Sequence, residues 1–376
     1  MLCAPRKATF REYRDRVRQS EKRLFVPRYF CARKYNETER IIMEALLKAL
    51  GVMLKKPIIN AEYKTERLHG GTLGDVRLLE GEAVSYDGER LPFKLVSKTQ
   101  KKWERYGDPE SWRREYDLYM SGLGALFTDA LRWPECYHAE YGEGEIRLWM
   151  EYINGVSGLS LTGEMYERAA LELGRFQGRL YAGGAPGEIE NLSKADGMKN
   201  FYLYYRSWDE VYGYIRSCDC EIPPHLREML IGADENADET WRRVEELPIV
   251  LCHRGFWVTN IFYTDGGIRL IDWDTTGWGH MGEDIVSLLA DEADVEHMAE
   301  YYPKCVRAYY RGFSEHADVS RIKDLYILER MILHYGYRLV EWYKFAGTPE
   351  SKKLQLDTLQ KIYEIKNNNT EDLCQT

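Results

Sequence analysis

The stretch that decides the fold is CHRGFWVTNIFYTDGGIRLIDWD, Cys252–Asp274. An apolar run, PIVLC, leads into a polar loop at His253–Thr259, and two short β-patterned segments follow, NIFYT and IRLID. Asp265-Gly266-Gly267 between them is a hairpin turn, because glycine takes the positive φ such a turn needs. The hairpin sets Asn260, where one strand begins, beside Asp272, where the other ends, although they are distant in sequence. A side-chain amide oxygen and a carboxylate converging on one point form a donor pair for Mg²⁺, which bridges nucleotide phosphates and offsets their charge.

Outward from this patch the pattern changes twice. Residues 1–55 read as a helical extension: Asn36 and Glu39 have capping-box spacing, IIMEALLKAL is helically periodic, and Gly51 is placed to stop it. Ile58–Val96 is strand-like, with turn punctuation at Gly70-Gly71, Gly74 and Asp87-Gly88. Asp108 and Pro109 open a helix, SWRREYDLYM, and Ile146–Tyr152 reads as a strand. Helices are expected at 162–180, 197–215 and 224–247, then near 282–290, 294–313, 318–345 and 348–366. The polar tail 367–376 is expected to fray. A strand-rich first part before a helical second part with one embedded hairpin predicts an α+β, two-lobed protein.

Glycines 70, 71 and 74 lie in a strand–turn–strand context that lets backbone amides approach phosphate oxygens. The following strand, FKLVSK, offers Lys98, with Lys94 on the same face and Lys101 beyond it as rivals.

These motifs together resemble the aminoglycoside phosphotransferase, choline kinase and fructosamine kinase superfamily, which has a protein-kinase-like fold. Its members carry H-G-D-x-x-x-x-N followed by I-D-[FW]-[DE], and fructosamine kinases have a Trp where Trp257 stands here. The likeness covers about residues 60–290. It implies a nucleotide-binding N-lobe with hinge at 56–153 and a helical C-lobe at 154–366. Asn260 and Asp272 would be the metal ligands, and Asp274 a second acidic position near them. Asp284, in GEDI, would steady the loop. Lys98 would contact the α- and β-phosphates, held by Glu115, while backbone groups at Met150, Glu151, Tyr152 and Ile153 would meet the adenine ring. His253 would begin the catalytic loop. The implied cofactors are ATP or GTP with Mg²⁺.

One departure stands out. The resemblance places a catalytic Asp two residues after the His, and Gly255 occupies that position. Glycine neither accepts a proton nor orients a hydroxyl. Loss of a general base slows a reaction by about 10²–10⁴, while positioning and charge neutralisation supply most of phosphoryl-transfer catalysis. Three readings stay open: a phosphotransferase acting on a hydroxyl or amine of a small molecule, with Asp274 as substitute base; a pseudokinase that binds nucleotide as a scaffold; and transfer of a nucleotidyl group.

Composition limits the partners. The formal charge is −9, which argues against nucleic-acid binding because counterion release needs clustered Lys and Arg. The basic run between Arg6 and Arg33 reads as a solvated helix face. No apolar stretch approaches membrane-spanning length, the N-terminus lacks the apolar region of a signal peptide, and the eight cysteines are scattered, so a cytoplasmic chain with free thiols and no membrane partner is expected. The C-terminal half is rich in Tyr and Trp, with Asp291, Asp294 and Glu341 among them, so a cationic or sugar-like acceptor is expected.

Overall fold

The computed structural model describes residues 37–68, 74–103, 108–142, 144–190, 192, 197–292 and 294–368. Most of the N-terminal extension, including Asn36 and the basic run, lies outside these residues, as do Gly70, Gly71 and the end of the tail. The chain divides into two compact units, Met1–Trp103 with Glu135–Tyr152, and Glu104–Pro134 with Ile153–Thr376.

Among the described residues the first unit is a five-stranded antiparallel sheet with one helix. Helix α1 spans Glu37–Leu54, and the strands are β1 (Ile58–Arg67), β2 (Gly74–Ser85), β3 (Arg90–Lys101), β5 (Cys136–Gly142) and β6 (Glu145–Glu151), in the order β1-β2-β3-β6-β5. Alternation along the strands turns Ala61, Leu79, Ala83, Phe93, Leu95 and Trp149 to one face, where Ala45, Leu46, Ala49 and Leu50 of α1 cover them. Gly51 does not end α1, contrary to expectation. The helix runs to Leu54 and stops where Lys55 turns left-handed, at φ 55°, since a lone glycine costs a helix only about 1 kcal/mol.

The second unit is mainly helical. Helix α2 (Ser111–Met120) packs on a short 3₁₀ turn at Trp273–Thr275. Strand β4 (Leu131–Arg132) pairs with β9 (Gly267–Leu270), which pairs with β8 (Ile261–Thr264), while β7 (Ile249–Cys252) pairs with β10 (Gly277–His280). The remaining helices are α3 (Gly163–Gly183), α4 (Gly197–Arg206), α5 (Asp209–Arg216), α6 (Pro224–Glu235), α7 (Ala237–Val244), α8 (Glu283–Ala290), α9 (Met298–Ser314), α10 (Ile327–Arg330), α11 (Tyr337–Lys344) and α12 (Pro349–Asn368). The helices expected at 197–215 and 224–247 are each broken in two, at Ser207-Trp208 and at Asn236. Residues 318–326 are irregular rather than helical, and a π turn, Met331–Gly336, joins α10 to α11.

Helices α3 and α9 cross at backbone contact. A Cβ at Gly174 would overlap the Tyr309 carbonyl oxygen, and one at Gly312 would overlap that of Leu171. Glycine is required there because two helix backbones occupy the space of a side chain. Among the described residues no helix is long and apolar enough to cross a membrane.

Candidate active site

The hairpin forms in the expected register. Ile261 faces Leu270, Gly267 makes the turn at φ 97°, and the Ile271 amide donates to the Asn260 carbonyl at 3.0 Å. Asn260 and Asp272 therefore occupy neighbouring places at one end of the hairpin. Asn260 is buried, and its Nδ2 donates to the Gly255 carbonyl at 3.0 Å. That bond orients the amide and leaves Oδ1 as the atom offered to a hard cation. Asp272 is half-buried in left-handed backbone at φ 65° and opens the 3₁₀ turn. Asp274, two residues on, is buried.

Trp273, between the two carboxylates, anchors both. Its Nε1 donates to the Leu270 carbonyl at 2.7 Å, and its ring meets Phe127, Trp133, Phe176 and His253 edge-to-face at centroid distances of 5.4, 5.7, 6.2 and 4.6 Å. Aromatic packing of this kind favours one orientation, so the turn carrying Asp272 and Asp274 is fixed from beneath. The Thr275 hydroxyl donates to the His253 carbonyl at 3.1 Å and ties the same turn to the loop.

The loop after β7 is held from the other side by α8. Both loop amides bond the Asp284 carboxylate, His253 N to Oδ2 at 2.9 Å and Arg254 N to Oδ1 at 2.8 Å. Gln177 Nε2 lies 2.9 Å from Asp284 Oδ2, and the Tyr309 hydroxyl donates to Gln177 Oε1 at 2.6 Å. Burial, the largest influence, raises the Asp284 pKa to about 6, opposed by the loop amides, by the Arg254 charge and by Gln177. Glu283 holds the Arg254 guanidinium, whose Nε lies 3.0 Å from Oε1, and Arg254 also donates to the Trp278 carbonyl at 2.8 Å. Arg254 itself is left-handed, at φ 61°.

Gly255 does not need its glycine for backbone reasons, since its φ is not positive. A Cβ there would meet Asn260 Nδ2 and the His253 ring, each at 3.3 Å.

In the first unit, Lys98 sits on β3 between Val76 and Leu148 and is buried. Lys94 is exposed, with its ammonium 4.1 Å from the Tyr152 ring centroid, and Lys101 is exposed at the strand end. Of the three rival lysines only Lys98 is buried. Gly74 begins β2, and a Cβ there would lie 3.0 Å from the Thr99 carbonyl oxygen. Met150 is buried, the Glu151 amide donates to the Glu135 carbonyl at 2.8 Å, and Ile153 begins the longer stretch of the second unit. Glu115 is buried on α2.

Three groups were not legible in advance. Gln177 and Tyr309 reach the site only through the α3–α9 crossing, and the sole local sign was a polar residue between Gly174 and Gly178. Glu283 precedes Asp284 without any spacing that marks it. The three carboxylates named as possible contacts for a cationic acceptor all have partners within the chain. Asp291 pairs with Arg338 at 2.8 Å, Asp294 with His297 at 2.7 Å, and Glu341 accepts the Tyr205 hydroxyl at 2.9 Å.

The model of the phosphotransferase enzyme family matches residues 109–319, more than half of the chain, and the chain belongs to that family. Its fold is similar to that of a choline kinase from Cryptosporidium parvum Iowa II, at 14% identity and TM-score 0.55, covering 87% of this chain and 96% of that one. It is similar also to wild-type aminoglycoside 2'-phosphotransferase-IIIa, solved as a GDP complex, at 16% identity and TM-score 0.53, covering 89% and 100%. A third similar structure is an amicoumacin kinase in complex with AMP-PNP, Ca²⁺ and Ami, at 13% identity and TM-score 0.51, covering 88% and 94%. At these identities the likeness is one of fold. No curated protein sequence matches the chain.

The donor set fits a magnesium ion. Among the described residues no group of three or more His, Cys, Asp or Glu is placed to hold a metal. Mg²⁺ does not ask for one, since it keeps several waters and takes one or two protein oxygens together with substrate phosphates.

Proposed function

We propose that this chain is an ATP-dependent phosphotransferase that phosphorylates a hydroxyl or amine of a small molecule. The observation that carries it is the main-chain hydrogen bond from Ile271 to Asn260, which sets residues 260 and 272 at the same end of the hairpin. Family membership and nucleotide-bound structures of similar fold support it. Asn260 Oδ1 and the Asp272 carboxylate would hold Mg²⁺, which when bound offsets charge on the nucleotide phosphates. Lys98, the buried lysine of β3, serves as the phosphate-contacting cation, with amides of the glycine-rich segment ending at Gly74. Main-chain groups at Glu151 and Ile153 serve the nucleobase, GTP being the alternative to ATP. His253 and Asp284 fix the loop. Asp274, two residues beyond Asp272, is the carboxylate assigned to the acceptor proton.

The test is incubation of the full chain with Mg–ATP and a panel of small alcohols, amines and aminoglycosides, with products weighed by mass spectrometry. Gain of one phosphoryl group by an acceptor is expected. Tight Mg–ATP binding with no acceptor modified would sink the proposal, and an added AMP would replace it with nucleotidyl transfer.

Gly255 favours a second reading, a nucleotide-binding module with little catalysis. A Cβ there would lie 3.3 Å from Asn260 Nδ2 and from the His253 ring, so a side chain fits only if those groups give by a few tenths of an ångström. Gly255→Asp separates the two. A gain of about tenfold or more in transfer rate indicates an enzyme that lacks only its base, and no gain indicates a binding module.

A further inference from the structure

The strongest feature outside the loop and hairpin is the surroundings of Arg338. Its guanidinium carbon lies 4.4 Å from the Trp342 ring centroid and 5.6 Å from that of Tyr335. Arg338 Nη1 donates to Asp291 Oδ2 at 2.8 Å, and the Tyr335 hydroxyl bonds the same oxygen at 3.2 Å and Ser287 Oγ at 3.1 Å. Glu341, with the Tyr205 hydroxyl on its Oε2, adds a second carboxylate to the field around the guanidinium. Two ring faces and two carboxylates around one site form a receptor for an organic cation. Here the cation belongs to the chain. The Arg338 side chain is 22% exposed and that of Asp291 3%, so the box opens to the surface while its anion lies beneath.

Asp291 caps the C-terminal end of α8, whose first turn carries Asp284, and seven residues of helix place the box roughly 10 Å along the axis from the loop. An acceptor held at the loop would have to reach about that far along α8 to meet the box.

The geometry points to an internally occupied cation site: Arg338 fills a box that would otherwise take a guanidinium or ammonium group, so an acceptor reaching it would present an uncharged end. Resting on the phosphotransferase reading above, this makes Arg338 a specificity residue that excludes acceptors with a positive charge at that end. Asp291 and Glu341 are not spare anions awaiting a cationic substrate, because a second cation there would face the guanidinium without a free counter-charge.

The experiment uses the full chain as wild type, Arg338→Ala and the double variant Arg338→Ala/Asp291→Asn, titrated with methylguanidinium chloride against sodium chloride of equal ionic strength. Binding is read by calorimetry, without reference to activity. Arg338→Ala is expected to bind methylguanidinium at least about tenfold more tightly than wild type, the worth of one desolvated cation–π and charge-paired contact. The double variant should lose that gain. Equal binding by wild type and Arg338→Ala, or a gain that survives in the double variant, would overturn the proposal. Should Arg338→Ala fail to fold, Arg338→Met keeps the apolar stem and serves in its place. Methylguanidinium binding by the variant while wild type phosphorylates no acceptor would uphold the box and count against the phosphotransferase reading alone.

Discussion

Asp284 Oδ1 accepts the main-chain amide of Arg254 at 2.8 Å, in a turn where Arg254 is left-handed. The adjacent Glu283 takes the side chain of the same arginine. The first turn of α8 thus grips Arg254 by backbone and by guanidinium, and the loop carrying Gly255 leaves that grip with its course set. Asp284→Ala would leave two buried amides unmet and is expected to cost about 2–4 kcal/mol, read by urea denaturation.

The same carboxylate predicts a pH dependence. Its folded pKa, about 6, lies above the ordinary 3.8. Between those limits the native protein holds a proton that the unfolded chain has released. The group's contribution to stability is therefore complete below the unfolded value and is lost as pH rises through about 6. Asparagine does not titrate. The stability of wild type relative to Asp284→Asn should fall by about 2–3 kcal/mol from about pH 4 to about pH 6. A difference that stays flat or rises across that window would contradict this.

Asn260→Ala and Asp272→Ala should each lower Mg-dependent nucleotide affinity or transfer by about 10²-fold or more, while changing stability by only about 1 kcal/mol. Asn260→Asp keeps an oxygen but loses the Nδ2 bond to Gly255, and should fall between wild type and alanine. Magnesium titrations by calorimetry in the presence of ATP compare them. Unchanged magnesium dependence in Asp272→Ala would remove that residue from the metal site.

A Cβ at Gly279 would overlap Glu283 Oε2 and approach Cys252 Sγ at 3.0 Å. Gly279→Ala should displace Glu283 from Arg254 and cost about 3 kcal/mol, as expected when a buried charge loses its partner. Arg254→Met in the same background should then cost little more, because the two changes remove one interaction. Additive losses in this cycle would show that Gly279 acts elsewhere.

Much of this was legible in the sequence, for a local reason. The Asn260–Asp272 hairpin depends on a turn of its own, Asp265-Gly266-Gly267, and short-range chemistry is what a sequence displays. Strands β1, β2, β3 and β6 likewise fall in segments that read as strands from alternation and glycine punctuation, whereas β5 (Cys136–Gly142) does not. What depended on distant packing was hidden. The helix at 111–120 belongs with the second unit because it rests on the Trp273 turn, and nothing within SWRREYDLYM says so. Gln177 needed the α3–α9 crossing to meet Asp284. Reading Asp291, Asp294 and Glu341 as possible cation contacts takes side chains singly, while Arg338 and Tyr205 come from other helices to meet Asp291 and Glu341.

Gly312→Ala would push α9 off the Leu171 carbonyl of α3, and Gly174→Ala would push α3 off that of Tyr309. Each should cost about 3 kcal/mol or more, because the obstruction is backbone that cannot turn aside. Each should also weaken the Tyr309–Gln177–Asp284 chain. Proton exchange at the His253 and Arg254 amides would then quicken more than at residues of the first-unit sheet.

That glycine-lined crossing has a consequence for how such a protein can change over descent. The course of the loop after β7 is set by hydrogen bonds from α3, α8 and α9 rather than by the residues it displays. The residue at position 255 can therefore change over descent while the contour around it is inherited.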